Sequence, residues 1–221
     1  MNALHPITAG YQISHEAQRV LRNTYALLSL SLLVTATTAG ASVALGLPHP
    51  GLLLTLVGYF GLLFGIFRYR NSAAAIGLVF VLTGFMGLTL GPLVGQVLAG
   101  VNGSATVMLA AGLTAVLFLG LSGYAQVTRR DVSGWGAPLM MGVLVAFGAG
   151  LLTFFVDIPG LALAVSALFT LLMAGVIVYE TNAIISGGER NYVLATVSLF
   201  VAIYNLFASL LHILGVSGNS E

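Results

Sequence analysis

Seven apolar runs follow one another along the chain, each close to the roughly 20 residues an α-helix needs to cross about 30 Å of hydrocarbon. They lie at 24–46, 51–67, 73–98, 105–127, 137–156, 161–185 and 192–215. Short breaks between them hold Pro, Gly and charged residues: Leu47–Pro50, Arg68–Ser72, Ala99–Ser104, Thr128–Gly136, Asp157–Gly160 and Ser186–Asn191. Breaks this short predict antiparallel neighbours in a single bundle. A transmembrane barrel does not fit, because its strands alternate apolar and polar residues and these runs do not. The expected fold is all-α: a polytopic membrane protein built as a seven-transmembrane-helix bundle.

Composition points the same way. Charged residues make up 6% of the 221, against about a quarter in a soluble globular chain. That is too few to coat a packed globule, and it is the opposite of the disordered signature. The net charge of +1 gives no reason to expect nucleic acid as a partner; the lipid bilayer is the expected one. Cysteine is absent, which removes disulfides and thiolate metal sites. The first run is too long and begins too late for a cleaved signal peptide, so it is read as a retained helix. The expected division is a tail over 1–22, one transmembrane domain over 23–215 and a short tail over 216–221.

All seven cations are arginines: Arg19, Arg22, Arg68, Arg70, Arg129, Arg130 and Arg190. Counting connections alternately from the N-terminal tail puts every one on the same side. The breaks at 47–50, 99–104 and 157–160 carry none. The positive-inside rule then predicts a cytoplasmic N-terminus and, after seven spans, a C-terminus outside.

Glu180 is the one acid or base placed well inside a run. A helical rise of about 1.5 Å per residue puts it roughly 10 Å in from Gly187. An ionised carboxylate near mid-membrane costs about 2.5–3.5 kcal/mol, so it should face the bundle interior or water. It can serve as a protonatable gate or cation site, or as a structural carboxylate paired to Arg68 or to neighbouring hydroxyls. The last run presents Ser198, Ala202, Asn205, Ser209 and His212 at helical spacing on one face. Such a stripe reads equally as a polar path or as close helix packing. The first run has a similar stripe in Thr24, Ser31, Thr35, Thr38 and Ser42, where packing is the simpler account. Glycines at 58, 61 and 65, and at 84, 87, 91 and 95, form small-residue rows for the same purpose. The expected proton or ion site comprises Glu180, Ser198, Asn205 and Arg68.

Gly120-Leu121-Ser122-Gly123 matches the GxSG nucleophile motif of rhomboid proteases, and His212 follows later. The topology separates them in depth by roughly 20 Å, against the hydrogen-bond reach of about 3 Å that a nucleophile and its base need. His5, His15 and His49 show no ligand spacing. No catalytic constellation, metal or cofactor is expected, and the chain is not read as an enzyme.

The stretch Val178-Tyr179-Glu180-Thr181-Asn182-Ala183-Ile184-Ile185, then Gly187-Gly188-Glu189-Arg190-Asn191-Tyr192, resembles a signature of the Bax inhibitor-1 family. So do Ala195-Thr196-Val197-Ser198-Leu199-Phe200 and Tyr204-Asn205-Leu206-Phe207. Arg22-Asn23-Thr24-Tyr25 with Leu27-Leu28-Ser29-Leu30, and the segment from Pro50 to Gly58, look like the bacterial YccA-like branch in particular. The resemblance implies a seven-helix fold with a central last helix and a place in the bacterial inner membrane. Some relatives are pH-sensitive calcium leaks that use two acids, one on each of the last two helices. Glu180 matches the first position and Ala202 the second, and an arginine that locks the pair corresponds most nearly to Arg68. The YccA-like branch implies instead a substrate and modulator of the FtsH-type ATP-dependent membrane protease, engaged through the N-terminal tail. The leading expectation is therefore a protease modulator in membrane-protein quality control. The alternative is a cation leak, for calcium or protons, with an incomplete diacid site.

Overall fold

The computed structural model describes residues 14–128, 130–156 and 158–218; residues 1–13 of the expected tail, Arg129, Asp157 and residues 219–221 lie outside them. Each apolar run forms one helix: α1 (His15–Ala44), α2 (Leu52–Tyr69), α3 (Ala73–Leu98), α4 (Gly103–Thr128), α5 (Gly136–Leu152), α6 (Leu161–Ile185) and α7 (Tyr192–Gly218). A 3-10 turn, Ser133–Trp135, leads into α5. All seven, α5 counted together with its 3-10 turn from Ser133, are long and apolar enough to cross a membrane.

Two helix ends depart from the sequence expectation. Residues 15–22, expected as tail, form the first two turns of α1. Ser14 caps them by accepting the Ala17 N–H at 3.1 Å, and Glu16 sits in the first turn, where the helix dipole favours a carboxylate. Hydropathy missed this segment because only one face, Ala17 and Val20, is buried. At the other end of the chain's fifth run, α5 stops at Leu152 while the apolar residues continue to Val156. Phe154 and Phe155 are exposed in the turn that follows, so apolarity there marks an exposed apolar surface and not helix.

Gly187 sets the entry to the last hairpin. At φ +78° it occupies the left-handed region. Its N–H bonds the Ile184 carbonyl (3.1 Å) and the Gly188 N–H bonds that of Ala183 (2.8 Å), the paired closure of a Schellman C-cap. This reversal folds residues 188–191 back over the end of α6.

α7 is the axis of the bundle. It packs against α1, α3, α4 and α6, whereas α2 leans chiefly on α3, and α5 on α6. Leu199, Phe200, Leu206 and Leu211 of α7 are completely buried. The most extensive pairing is α1 with α3, and it is built from the small-residue rows. A Cβ on Gly87 would stand 2.5 Å from the Thr35 carbonyl oxygen, and Gly91 faces Ser42 just as closely. Across this seam Thr35 Oγ1 donates to the Thr83 carbonyl (2.9 Å) and Ser42 Oγ to that of Leu88 (3.2 Å). The α1 stripe is thus packing. Close backbone approach lets its hydroxyls reach the partner helix's carbonyls.

Candidate functional site

The arginine-bearing end of the bundle contains a cavity of about 290 Å³ between the α4–α5 connection and the α6–α7 hairpin. Glu180 lines it, half-buried, together with Tyr179, Asn182 and Ala183 from α6. Ser133 contributes from the 3-10 turn, and Ser186, Gly188 and Glu189 from the reversal that Gly187 makes possible. Asn182 holds the roof in place: its Nδ2 donates to the Arg130 carbonyl at 2.8 Å, tying the α4–α5 connection to α6. Asp131 caps the same connection by accepting the Ser133 N–H at 2.9 Å, and that bond holds its carboxyl below the usual aspartate range.

Of the four residues expected to form the site, two come together. Ser198 of α7 interacts with the Glu180 carboxyl across the α6/α7 interface. Asn205 lies two turns further along α7 and spends its amide on its own helix, donating to the Val201 carbonyl at 2.8 Å. Arg68 is exposed, with its guanidinium 5.8 Å from the Tyr69 ring centroid, and it does not line the cavity. Ala202 is completely buried in an apolar cluster with Met173, Ile177 and Leu206. The second-acid position of some relatives is therefore a packing position in this chain.

The structure supplies a second carboxylate that spacing alone did not suggest. Glu189 lines the same cavity as Glu180. One of its oxygens accepts the Asn191 N–H at 2.6 Å. The glycine pair before it was the available signal, since a reversal at Gly187 must carry Glu189 back toward α6.

Ser122 also has an assignment. It is buried and bonds both the Tyr25 hydroxyl of α1 and the Thr181 hydroxyl of α6, the latter at 3.0 Å. Gln126 joins by donating to the Tyr25 hydroxyl at 3.3 Å. His212 pairs elsewhere, its Nδ1 lying 2.9 Å from Ser166 Oγ. The GxSG serine is thus a knot in a hydroxyl network that links α1, α4 and α6, and among the described residues no histidine bonds to it.

A bundle of seven membrane helices in which α1, α3, α4 and α6 pack around the last, with a half-buried carboxylate at one end, defines a class of polytopic membrane protein. Comparison with known proteins identifies the family. Residues 17–219 match the model described as inhibitor of apoptosis-promoting Bax1, and the chain belongs to the Bax inhibitor-1 family. It is 48% identical over 197 residues to the modulator of FtsH protease YccA of Escherichia coli, covering 89% of this chain and 90% of that one. An uncharacterised protein of Pseudomonas aeruginosa is 46% identical over 206 residues, 93% of each chain. An uncharacterised membrane protein of Vibrio cholerae is 36% identical over 215 residues, 97% of this chain and 96% of its own.

Proposed function

We propose that this protein is a multi-pass inner-membrane modulator of an FtsH-type ATP-dependent protease, itself a substrate of that protease. The observation that carries the reading is the 48% identity, over nine-tenths of both chains, to a relative whose name states that activity. The one-sided arginines support a cytoplasmic N-terminus. From there the residues before Ser14 can reach a cytoplasmic protease. Deleting residues 2–13 spares the Ser14 cap, so the protein should still insert and fold. With the protease present it should become long-lived and stop co-purifying with it. Unchanged turnover would overturn this reading.

A second reading, a proton or cation leak, is favoured by the cavity that Glu180 and Glu189 share. Calcium takes six to eight oxygens, and this cavity offers two carboxylates and neutral groups. Little calcium flux is expected from wild-type protein in liposomes, which a fluorescent calcium indicator would check.

A further inference from the structure

A single side chain stitches together two turns on the arginine-bearing face. Asn191 Nδ2 donates to the Arg70 carbonyl (3.0 Å) and to Asn71 Oδ1 (3.2 Å), joining the α2–α3 turn to the α6–α7 hairpin. Its Oδ1 meanwhile accepts the N–H groups of Val193 (2.9 Å) and Leu194 (3.3 Å), capping α7. Beside this stitch lies a cleft of about 570 Å³, distinct from the Glu180 cavity, with Arg70 and Arg190 both on its wall. Its apolar side is Ile76 and the buried Val193.

The charge in this cleft is unbalanced. No carboxylate is among its lining residues. The nearest in sequence, Glu189, lines the other cavity and is held by the Asn191 N–H. Among the described residues Arg190 uses only its Nε, donating to the Gly187 carbonyl at 3.3 Å. The Arg70 guanidinium makes no hydrogen bond or ion pair among the described residues. Two guanidiniums with free N–H groups, facing one concave space, match the oxygens of a phosphate. The first turns of α3 and α7 open onto the same space and add positive potential of the same sign.

Depth selects the source of that phosphate. Arg70 directly follows the α2 span and Arg190 stands two residues before α7, so the cleft sits at the level of lipid headgroups. Ile76 and Val193 carry its wall into the first turns of the α3 and α7 spans. We propose that this cleft binds the headgroup phosphate of an anionic phospholipid. Arg70 and Arg190 hold the phosphate, and Ile76 and Val193 contact the glycerol and upper acyl region. Basic pockets between membrane helices bind anionic headgroups on this physical basis.

The test measures lipid retention by the purified full-length protein in detergent, using phosphatidylglycerol and phosphatidylcholine as probes. Phosphatidylglycerol should be retained in preference to phosphatidylcholine. The R70Q/R190Q variant should lose that preference, with affinity falling on the order of tenfold or more. Arg22→Gln, which removes an exposed arginine outside the cleft, should retain the lipid within about twofold. If the double glutamine variant does not fold, R70K/R190K keeps the charge and loses the planar fork, and it should bind at an intermediate level. Equal loss in Arg22→Gln would show a diffuse surface effect and overturn the proposal. So would displacement of phosphatidylglycerol by inorganic phosphate at equal concentration, which would make the site one for a free anion. Unchanged lipid retention in R70Q/R190Q, with loss of a co-purifying protein, would make the cleft a protein-docking patch and overturn the lipid assignment.

Discussion

Ser31 and Thr35 stand one turn apart on α1, both buried, and differ in how their hydroxyls are satisfied. Thr35 Oγ1 bonds the Ser31 carbonyl (3.0 Å) and crosses to that of Thr83, whereas Ser31 Oγ has no partner among the described residues. A buried hydroxyl without a partner contributes nothing that offsets its desolvation. Ser31→Ala should therefore be neutral or stabilising by up to about 1 kcal/mol. Thr35→Val should cost about 0.6 kcal/mol, typical of an interhelical hydrogen bond in a membrane. Denaturant titration in mixed micelles would check both. Glu180→Gln keeps volume and hydrogen bonding but removes one of the cavity's two carboxylates, so the fold should persist and any pH dependence of ion flux through this cavity should weaken to what Glu189 alone supplies. A calcium leak from liposomes unaffected by Glu180→Gln would place the ion path elsewhere. At this scale the sequence exposed Glu180 because a lone acid stands out in an apolar run. It could not expose Glu189 as a neighbour, because that proximity is made by the Gly187 reversal and not by spacing along one helix.

Helix existence was legible at the scale of elements because each span is an unbroken apolar run. Helix ends were less so, because Ser14 and the Leu152 stop depend on caps and turns that hydropathy does not register. The glycine rows show the same limit. Gly87 and Gly61 look alike in sequence, yet a Cβ on Gly87 meets the α1 backbone while one on Gly61 meets nothing within 4 Å. Gly87→Ala should push α1 and α3 apart at a cost of about 1–3 kcal/mol. Gly61→Ala should stay within about 0.5 kcal/mol of wild type. Thermal unfolding of the two variants side by side would show the difference. At the α6/α7 interface, Ala202→Asp puts a carboxylate into the cluster of Met173, Ile177 and Leu206, with Glu180 one turn from Ile177. It should lower stability and introduce a pH-dependent calcium flux above the little expected from the wild type, measurable in liposomes.

For the molecule as a whole, the alternation of arginine-bearing and arginine-free connections agrees with the number of spans and supports the orientation proposed for them. Reporter fusions at Asn2 and Ser220 should report opposite sides of the membrane; the same side for both would break the orientation proposed for the seven spans. The central place of α7 was legible through family likeness. Composition could not supply it, since the span with the highest mean hydropathy is α6 and not α7, and only packing makes α7 the axis. That axis is also the last of the seven helices to leave the ribosome. Six helices must enter the bilayer before the one they surround exists, and during that interval the groups that face α7 have only lipid or one another as neighbours. The Thr24 carbonyl that will accept the Thr196 hydroxyl (3.3 Å) waits, and so does the Glu180 carboxyl that will meet Ser198. Every newly made copy therefore passes through an unfinished state in which that polar seam stays uncovered until α7 docks.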